Sequence, residues 1–379
     1  MIDFNRPYLT GKETLYIQQA VSNAHLSGNG EFTKRCQLFF EQRYGFKKCL
    51  LTTSCTDALE MAAMLCNIQQ DDEVIVPSFT FVSSALAFVR EGAKIVFADS
   101  MKENPNIDAE KIESLITTKT KVIVAVHYAG VACDMDRIMG IAAKHNLIVV
   151  EDAAHAIDSY YKGKPLGSIG HLATFSFHET KNISSGEGGM LCINDEHFIS
   201  RSEIIWEKGT NRSEFFRGEV NKYGWVDTGS SFLPSEVIAA FLWAQLENLD
   251  DIQGKRKKLW EQYFSGLQTL AAEGKIRLPQ IPGYATNNGH MFYIVCRSLE
   301  ERSGLIKFLK EKDVTAPFHY LSLHKSDYYV NHTDSVPELP LCDMYADCLV
   351  RMPMFYELEL EQVDMIVGLI KEYFKKIDY

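Results

Sequence analysis

The sequence contains no pair of cysteines spaced as C-x-x-C, although nine cysteines are spread through its 379 residues. Cysteine pairs at that spacing are typical of structural zinc sites and redox motifs, whereas disulfide frameworks are typical of short secreted chains. The cysteines therefore predict reduced thiols and exclude a disulfide-rich or zinc-ribbon fold.

Long hydrophobic runs are also missing. No stretch of about 18 consecutive apolar residues occurs, and the first residues, MIDFNRPYLTGKETLY, lack a basic start followed by an apolar segment. We therefore expect no membrane-spanning helix, no secretory signal, no membrane partner and a cytoplasmic location.

Basic charge is not in excess either. The chain has 39 Lys and Arg against 50 Asp and Glu, a net charge of -11. A broad surface for a phosphate backbone needs clustered cations, so we expect no nucleic acid partner, although a local basic pocket is compatible with this balance. With 46% hydrophobic and 23% charged residues, the composition is that of a globular protein, and the length predicts two or three domains.

Short apolar segments alternate with helical segments through the first two thirds of the chain. This alternation is typical of βαβ units around a mostly parallel sheet. The predicted strands cover residues 49–52, 73–76, 94–98, 121–126, 147–151, 173–177 and 189–193, and residues 57–66 and 135–145 are predicted helices. We therefore expect one large α/β domain with a seven-stranded sheet.

The pattern changes near Ser235, where a helical run extends over residues 235–267 with only Gly254 to interrupt it. We place the domain joint in this run, which gives a large α/β domain of residues 1–245 and a small α+β domain of residues 246–379. In the small domain, residues 291–296 and 314–319 are predicted strands, and residues 301–312 and 361–375 are predicted helices.

Hydroxyl groups surround the junction between the first predicted strand and the following helix, in the segment TTSCT at residues 52–56. Backbone N–H groups at a helix start, with hydroxyls beside them, bind phosphate well. Ordinary capping of the helix by Ser or Thr explains the same pattern, so both interpretations stay open.

Two carboxylates, Glu151 and Asp152, follow the apolar run of the fifth predicted strand, and His155 comes three residues later. Open α/β sheets bind their ligands at this edge. A carboxylate there can hold a cation or keep a heterocyclic nitrogen protonated. Capping of the next helix is the alternative.

A third candidate is Lys181, in the glycine-rich segment FSFHETKNISSGEGG after an aromatic strand. Most lysines are simply solvated, but desolvation or a neighbouring cation lowers the pKa of a lysine and makes it a nucleophile toward carbonyls. A phosphate site, a strand-end carboxylate and such a lysine, all at strand ends of one sheet, are what a pyridoxal phosphate (PLP) enzyme needs.

Several segments carry a family resemblance that covers essentially the whole chain. They are SCTDAL, EVIVPSFTFVSS, VHYAG, VEDAAHA, FSFHETK with GEGG shortly after it, and KGTNRSEFFRGEVNKYGWVDTGSSFLPSE. In these segments the chain resembles the sugar aminotransferases of the DegT/DnrJ/EryC1 family. The resemblance implies a PLP-dependent transferase of fold type I, with PLP as cofactor and a homodimer with shared active sites.

Within that family, the last of these segments and LSGNGEFTKRCQ are most similar to members that make dTDP-4-amino-4,6-dideoxygalactose for surface polysaccharides. This similarity implies amino transfer from L-glutamate to dTDP-4-keto-6-deoxy-D-glucose, with 2-oxoglutarate as the second product. The gluco epimer, amination at C3 and another nucleotide base stay open.

The resemblance also implies roles for single residues. Lys181 matches the lysine that binds the cofactor covalently and later moves protons, and Asp152 matches the aspartate that pairs with the pyridinium nitrogen. His155 stands where relatives have Gln or His near the phenolic oxygen. Phe81 stands where an aromatic ring stacks on the cofactor, with a place in the core as its alternative. The phosphate-binding positions are held by Cys55, Thr56 and Ser176, and Cys55 replaces a glycine of many relatives.

Other positions are implied for the partner subunit and the substrate. Asn211, in GTNR, resembles a residue that the second subunit offers to the cofactor phosphate, and a surface turn is its alternative. Arg212 resembles a residue that helps hold the nucleotide diphosphate or shapes the entrance. His319, Tyr320 and His324 lie in a stretch similar to the substrate-facing segment of the family.

Two other classes of function compete with this interpretation. His127, Glu151, Asp152 and His155 could be ligands in a metal-dependent hydrolase, but that leaves Lys181 without a role, so we expect no metal. The second is a non-catalytic nucleotide-sugar-binding protein of the same fold. The presence of Lys181 argues against it, and against the related sugar dehydratases, which have histidine in place of this lysine.

Overall fold

A seven-stranded sheet lies at the centre of the fold, which the computed structural model describes for residues 1–377. The strands are β1 (Lys48–Thr52), β2 (Glu73–Pro77), β3 (Lys94–Ala98), β4 (Thr120–Val126), β5 (Ile148–Asp152), β6 (Tyr160–Tyr161), β7 (Lys164–Pro165), β8 (Leu172–Ser176), β9 (Gly189–Ile193), β10 (Tyr293–Val295) and β11 (Leu349–Arg351). The order in the large sheet is β1-β9-β8-β5-β4-β2-β3. Neighbouring strands are parallel except at β9, which runs antiparallel to β1 and β8. The predicted seven-stranded, mostly parallel sheet is confirmed.

Helices follow most of these strands. They are α1 (Glu13–Ser22), α2 (Glu31–Tyr44), α3 (Cys55–Leu65), α4 (Ser83–Arg90), α5 (Ala109–Ile112), α6 (Met135–His145), α7 (Ile199–Trp206), α8 (Arg212–Phe216), α9 (Glu236–Leu246), α10 (Leu249–Ala272), α11 (Leu299–Glu311), α12 (Asp327–Asn331), α13 (Pro340–Cys348) and α14 (Leu360–Ile377). Among residues 1–377, no helix is both long and apolar enough to cross a bilayer.

Helices cover both faces of the large sheet, which is why its strands are apolar on both sides. Alternate residues of each strand enter two clusters, with Leu51 and Val149 in one and Leu50 and Val150 in the other. Residues of α1, α2, α6 and α9 complete the first cluster, and residues of α3, α4 and α7 complete the second. The sheet is thus held between two helical layers.

A third cluster belongs to the C-terminal part of the chain. There α10, α11 and α14 pack around the β10–β11 pair, and Tyr263 and Phe374 are buried. Helix α10 starts in the first cluster with Leu249 and continues into the third with Leu259. The domain boundary predicted between residues 245 and 246 falls at the end of α9 and stays a prediction.

The prediction of a strand at residues 314–319 is wrong. Within this segment Val314 and Phe318 make only isolated bridges. Pro317 lies between them and has no N–H to donate, so a regular ladder cannot continue. Strand β10 pairs instead with β11, which has three residues and is too short to be recognised in the sequence.

The long helical run breaks earlier than predicted. Helix α9 ends at Leu246 and α10 begins at Leu249, while Gly254 lies inside α10. At the break, the side-chain Nδ2 of Asn248 donates to the carbonyl oxygen of Ala244 at 3.0 Å. A side chain that bonds to its own backbone in this way competes with helical hydrogen bonds, which accounts for the position of the break.

Candidate active site

Strand register brings the predicted site residues to one edge of the large sheet. Asp152, the last residue of β5, lies opposite Thr174 of β8. Ser176, the last residue of β8, lies opposite Gly189 of β9, which in turn lies opposite Thr52 at the end of β1. The carboxyl ends of parallel strands meet at the same edge. The helix start after β1, the carboxylate of β5 and the lysine turn after β8 therefore begin from neighbouring positions.

A cavity of about 600 Å³ opens at this edge and brings most of the predicted residues together. Those in its lining are Cys55, Thr56, Phe81, Asp152, His155, Ser176, Lys181, His319 and Tyr320. The lining also contains residues without a predicted role, among them Phe4, Asn5, Arg256, His290 and Arg351. The cavity therefore joins the N-terminus, the large sheet and the C-terminal part of the chain.

Lys181 lies in the wall of this cavity, in a tight turn after β8. Its backbone N–H donates to the carbonyl oxygen of His178 at 2.9 Å. Gly186, which closes the turn, has a φ of +78°, a conformation that favours glycine. Burial lowers the pKa of Lys181, the charge of Arg351 adds to the effect, and Asp152 opposes it. The amine is thereby biased toward its neutral, nucleophilic form.

Asp152 is held by two neutral hydrogen-bond donors and is only 5% exposed. Its Oδ2 accepts a hydrogen bond from Ser84 Oγ at 2.7 Å, and its Oδ1 accepts one from the N–H of Ala154 at 3.1 Å. No cation among residues 1–377 forms an ion pair with this carboxylate. Its charge is therefore available to a cationic group placed in the cavity.

The start of α3 forms the third wall of the cavity. Ser54 caps this helix, and Gly189 packs so closely that a Cβ there would lie 2.3 Å from the carbonyl carbon of Ser54. Thr56 Oγ1 lies 2.8 Å from Ser83 Oγ. The first N–H groups of a helix have no acceptor inside the helix. Burial raises the pKa of the Cys55 thiol, so the side chain is neutral and does not repel an anion bound here.

Three histidine rings stack beside the cavity. The ring centre of His155 lies 4.2 Å from that of His290 and 6.1 Å from that of His319, with interplanar angles of 19° and 25°. Burial, together with nearby positive charge, lowers the pKa of all three imidazoles well below the ordinary value. The three rings are therefore neutral at physiological pH.

The tautomer of His155 follows from its contacts. The N–H of Ala129 donates to Nδ1 at 3.3 Å, so a neutral ring carries its proton on Nε2. Nε2 lies 3.4 Å from the hydroxyl oxygen of Tyr320. His155 is thus a neutral donor in the cavity wall.

These histidines predict a pH-dependent stability. Below about pH 6.5 the unfolded chain protonates them while the folded chain keeps them neutral, so the free energy of unfolding falls as the pH falls. For His290→Gln we expect the free energy of unfolding to fall less steeply below about pH 6.5 than in the wild type, by up to about 1.4 kcal/mol per pH unit. The fall of Tm with pH should be shallower accordingly. Thermal unfolding across this range measures it. The control is His332→Gln, at an exposed position, and an unchanged slope in His290→Gln would contradict the neutral buried state.

Asn182, next to Lys181, ties the lysine turn to the C-terminal part of the chain. Its Oδ1 accepts a hydrogen bond from His290 Nδ1 at 2.7 Å, and its Nδ2 donates to Gln253 Oε1 at 2.7 Å and to the carbonyl oxygen of Asn288 at 3.0 Å. All four side chains are buried. These partners lie far from Asn182 in the sequence, so its position next to Lys181 is the only sequence feature that could have indicated a role for it.

Three predicted residues do not line the cavity of Lys181. Asn211 is engaged within its own loop, where Oδ1 accepts a backbone N–H at 2.9 Å. Arg212 lines a second cavity of about 760 Å³. His324 is fully buried, and its Nδ1 lies 2.7 Å from Ser78 Oγ. Within one chain, these side chains are therefore separate from the lysine.

Glu151 and Asp152 have different surroundings although they are adjacent. Glu151 is fully buried, with His127 Nε2 at 2.9 Å and the N–H groups of Gly167 and Gly170 donating at 2.8 and 2.6 Å. These bonds occupy its carboxylate. In the described part of the chain, no three His, Cys, Asp or Glu side chains are grouped to hold a metal ion. The metal-dependent hydrolase therefore lacks a set of ligands among residues 1–377.

Solved structures similar to this chain include aminotransferases. DesV of S. venezuelae, solved with a ketimine intermediate, is 26% identical with a TM-score of 0.89, and 98% of each chain is covered. A Streptococcus pneumoniae protein described as a sugar aminotransferase and solved in its PLP form is 25% identical with a TM-score of 0.90, covering 99% of this chain and 98% of that one. The fold and the cavity define a PLP-dependent aminotransferase.

The comparison with protein families is more specific. The model described as the DegT/DnrJ/EryC1/StrS aminotransferase family matches residues 7–371. Among relatives, GDP-perosamine synthase of Escherichia coli O157:H7 is 31% identical over 375 residues, which cover 97% of each chain. The chain belongs to the DegT/DnrJ/EryC1/StrS aminotransferase family. The predicted family, fold class, cofactor and transaminase activity are confirmed.

Proposed function

We propose that the enzyme transfers the amino group of L-glutamate to C4 of dTDP-4-keto-6-deoxy-D-glucose. The products are dTDP-4-amino-4,6-dideoxy-D-galactose and 2-oxoglutarate, made in the cytoplasm for a surface polysaccharide. One observation carries the amino-transfer chemistry: Lys181 and Asp152 line a single cavity. The choice of sugar rests on the resemblance of residues 26–37 and 208–236 to enzymes that make this product.

The position of these two segments supports a common role in sugar selection. Lys34 from residues 26–37 and Lys208 and Arg212 from residues 208–236 line the same second cavity. The segments are far apart in the sequence, yet they meet in the fold. Cations in such a cavity suit the phosphates of a sugar nucleotide.

The cavity of Lys181 fits the cofactor, and we propose the following contacts. PLP, when bound, supplies a carbonyl that amines attack and a ring that takes up an electron pair. Lys181 would hold it covalently, and Asp152 would keep the ring nitrogen protonated. The start of α3 holds the phosphate, with Cys55 contributing its backbone and Thr56 and Ser176 their hydroxyls.

Two further contacts complete this proposal. His155 would donate a hydrogen bond from its Nε2–H to the phenolic oxygen, which its neutral tautomer allows. Phe81, 55% exposed within one chain, covers one face of the ring. A large aromatic side chain left this exposed beside a cavity is expected to gain a partner there.

Lys181 also moves protons in this proposal. Its lowered pKa lets Nζ accept the proton from the α-carbon of glutamate and later return a proton to C4 of the sugar. The face from which Nζ approaches C4 decides between the galacto and gluco products. We propose that His319 and Tyr320, in the lining of the same cavity, contact the sugar. His324, which forms a hydrogen bond with Ser78, acts by holding residues 319–324 in place.

Product analysis tests the proposed reaction. The enzyme, PLP and L-glutamate are incubated separately with dTDP-4-keto-6-deoxy-D-glucose, its 3-keto isomer and a GDP-linked 4-keto sugar, which represents the GDP named in the perosamine relative. We expect the first to react best and NMR to show an axial amino group at C4. A preferred GDP or 3-keto substrate, or an equatorial amino group, would contradict the substrate or the stereochemistry. Binding without amino transfer would favour the non-catalytic alternative.

We also propose a homodimer in which Asn211 of one subunit reaches the cofactor phosphate of the other. Asn211 does not line the cavity of its own chain. The segment that follows it, which contains α8 and the loop after α8, exposes Phe216 at 69%, Tyr223 at 50% and Trp225 at 83%. Neighbouring exposed aromatic rings are typical of protein interfaces.

Mixed dimers test this arrangement. We expect Lys181→Ala and Asn211→Asp homodimers to be poorly active, the second because an added carboxylate repels the phosphate. After subunit exchange, one pocket of a mixed dimer carries both lesions and the other carries none, so up to about half of the native activity per dimer returns. As a control, Lys181→Ala mixed with Asp152→Asn leaves one lesion in each pocket and restores nothing. Exchange proved by mass without recovered activity would place Asn211 outside the partner's site.

A further inference from the structure

Arg351 lies in the wall of the Lys181 cavity without an acidic partner. It ends β11, and its Nε and Nη2 donate to the carbonyl oxygen of Phe318 at 3.3 and 3.1 Å. Its Cζ lies 4.4 Å from the ring centre of Phe4. Among residues 1–377, no carboxylate forms an ion pair with it and Nη1 makes no hydrogen bond. The guanidinium is therefore held in place while part of it stays unsatisfied.

The groups around Arg351 do not neutralise its charge. Burial lowers its pKa, and the groups that oppose this are two tyrosines, Tyr128 and Tyr320. Its charge in turn contributes to lowering the pKa of Lys181 and His155. This end of the cavity is thus electropositive. A partly buried cation without a counterion is costly, so an anion that enters here binds favourably.

We propose that Arg351 binds a carboxylate of the amino-acid donor. The inference rests on the proposed function and names the group that recognises its first substrate. The planar guanidinium matches a carboxylate through paired N–H groups, and Phe4 and Phe318 hold its plane. The donor must present its α-carbon to Lys181, so its carboxylate lies in the same cavity. Arg256, the other arginine of the lining, uses its guanidinium on the carbonyl oxygens of Gly289 and His290.

Measuring the two half-reactions separately distinguishes binding of the amino-acid donor from a general role of Arg351 in the active site. In Arg351→Gln we expect kcat/KM for L-glutamate to fall about 10- to 100-fold, mostly through KM. The loss of the visible band of the bound cofactor measures this half-reaction. The half-reaction of the aminated enzyme with the keto sugar should change less than about threefold. The matched control is Arg302→Gln, whose guanidinium stacks on Phe318 at 5.2 Å but does not line the cavity. It should leave both half-reactions unchanged.

A binding measurement makes the test independent of turnover. Glutarate, a dicarboxylate without an amino group, is titrated into the wild type and into Arg351→Gln by calorimetry, and we expect at least about tenfold weaker binding to the variant. Equal glutarate binding, or a loss confined to the sugar half-reaction, would overturn the assignment of Arg351. If the wild type binds glutarate through Arg351 but does not react with L-glutamate, the proposed donor is wrong and the anion site stands.

Discussion

Lys181→Ala is expected to lose both turnover and the covalent attachment of the cofactor. The wild type should show a visible absorption band that borohydride abolishes while it fixes the cofactor onto Lys181, because this side chain is the cavity amine with a lowered pKa. Turnover should fall by about 10⁴-fold, the upper range for removing a group that transfers protons. Peptide mass mapping after reduction and steady-state kinetics measure the two effects.

The control for this experiment is a lysine outside the cavity. Lys325, exposed and paired with Asp343 at 2.7 Å, can be changed to alanine without touching the lining. It should keep the band, the labelled peptide and the activity. If Lys181→Ala still forms a reducible link at full occupancy, another amine holds the cofactor and the assignment is wrong.

The large sheet could be predicted because its strands are short, apolar and buried on both faces. Residues 94–98 and 189–193 match β3 and β9 without a shift. The other five strands differ from the prediction by one residue at one or both ends, because apolar character alone does not decide where strand pairing starts and stops. Asp152 is one example: it belongs to β5, although the apolar run stops before it.

The core of the site could be predicted for a topological reason. Cys55, Asp152 and Lys181 follow the carboxyl ends of parallel strands or belong to them, and such ends share one edge. Motifs that are each ambiguous alone thus become specific when the alternation of strands and helices places them together. The family resemblance then supplied roles that no spacing contained.

The rest of the cavity could not be predicted because it depends on how the C-terminal part packs onto the sheet. His290 and Arg351 come from segments with no motif, and they reach the cavity because β10 and β11 pair beside it. Asn211 is the opposite case, a residue with a recognisable motif that does not line the cavity. Its sequence resembles a cofactor contact, yet it does not line the cavity of its own chain, so the role that we propose for it requires a second subunit.

Asp152→Asn is expected to keep the fold and lose turnover by about 100-fold or more, the scale for one key electrostatic group in a preorganised site. The amide keeps an oxygen for the N–H of Ala154, and Ser84 can accept from the new NH₂ group, so the local hydrogen bonds survive. What disappears is the negative charge that, in our proposal, would keep the ring nitrogen of the bound cofactor protonated. Measured kcat, bound PLP and Tm separate loss of chemistry from loss of cofactor or fold.

The neighbouring carboxylate provides the matched control. Glu151→Gln removes a charge of the same kind one residue away, but Glu151 accepts N–H groups of the fold and contacts His127. We therefore expect this variant to lose about 1–3 kcal/mol of stability while its folded fraction turns over almost normally. The two variants should thus show opposite patterns, with Tm falling in one and kcat in the other. Near-normal turnover in Asp152→Asn together with a large loss in Glu151→Gln would mean that Glu151 is the carboxylate that serves the cofactor, despite its burial away from the cavity lining.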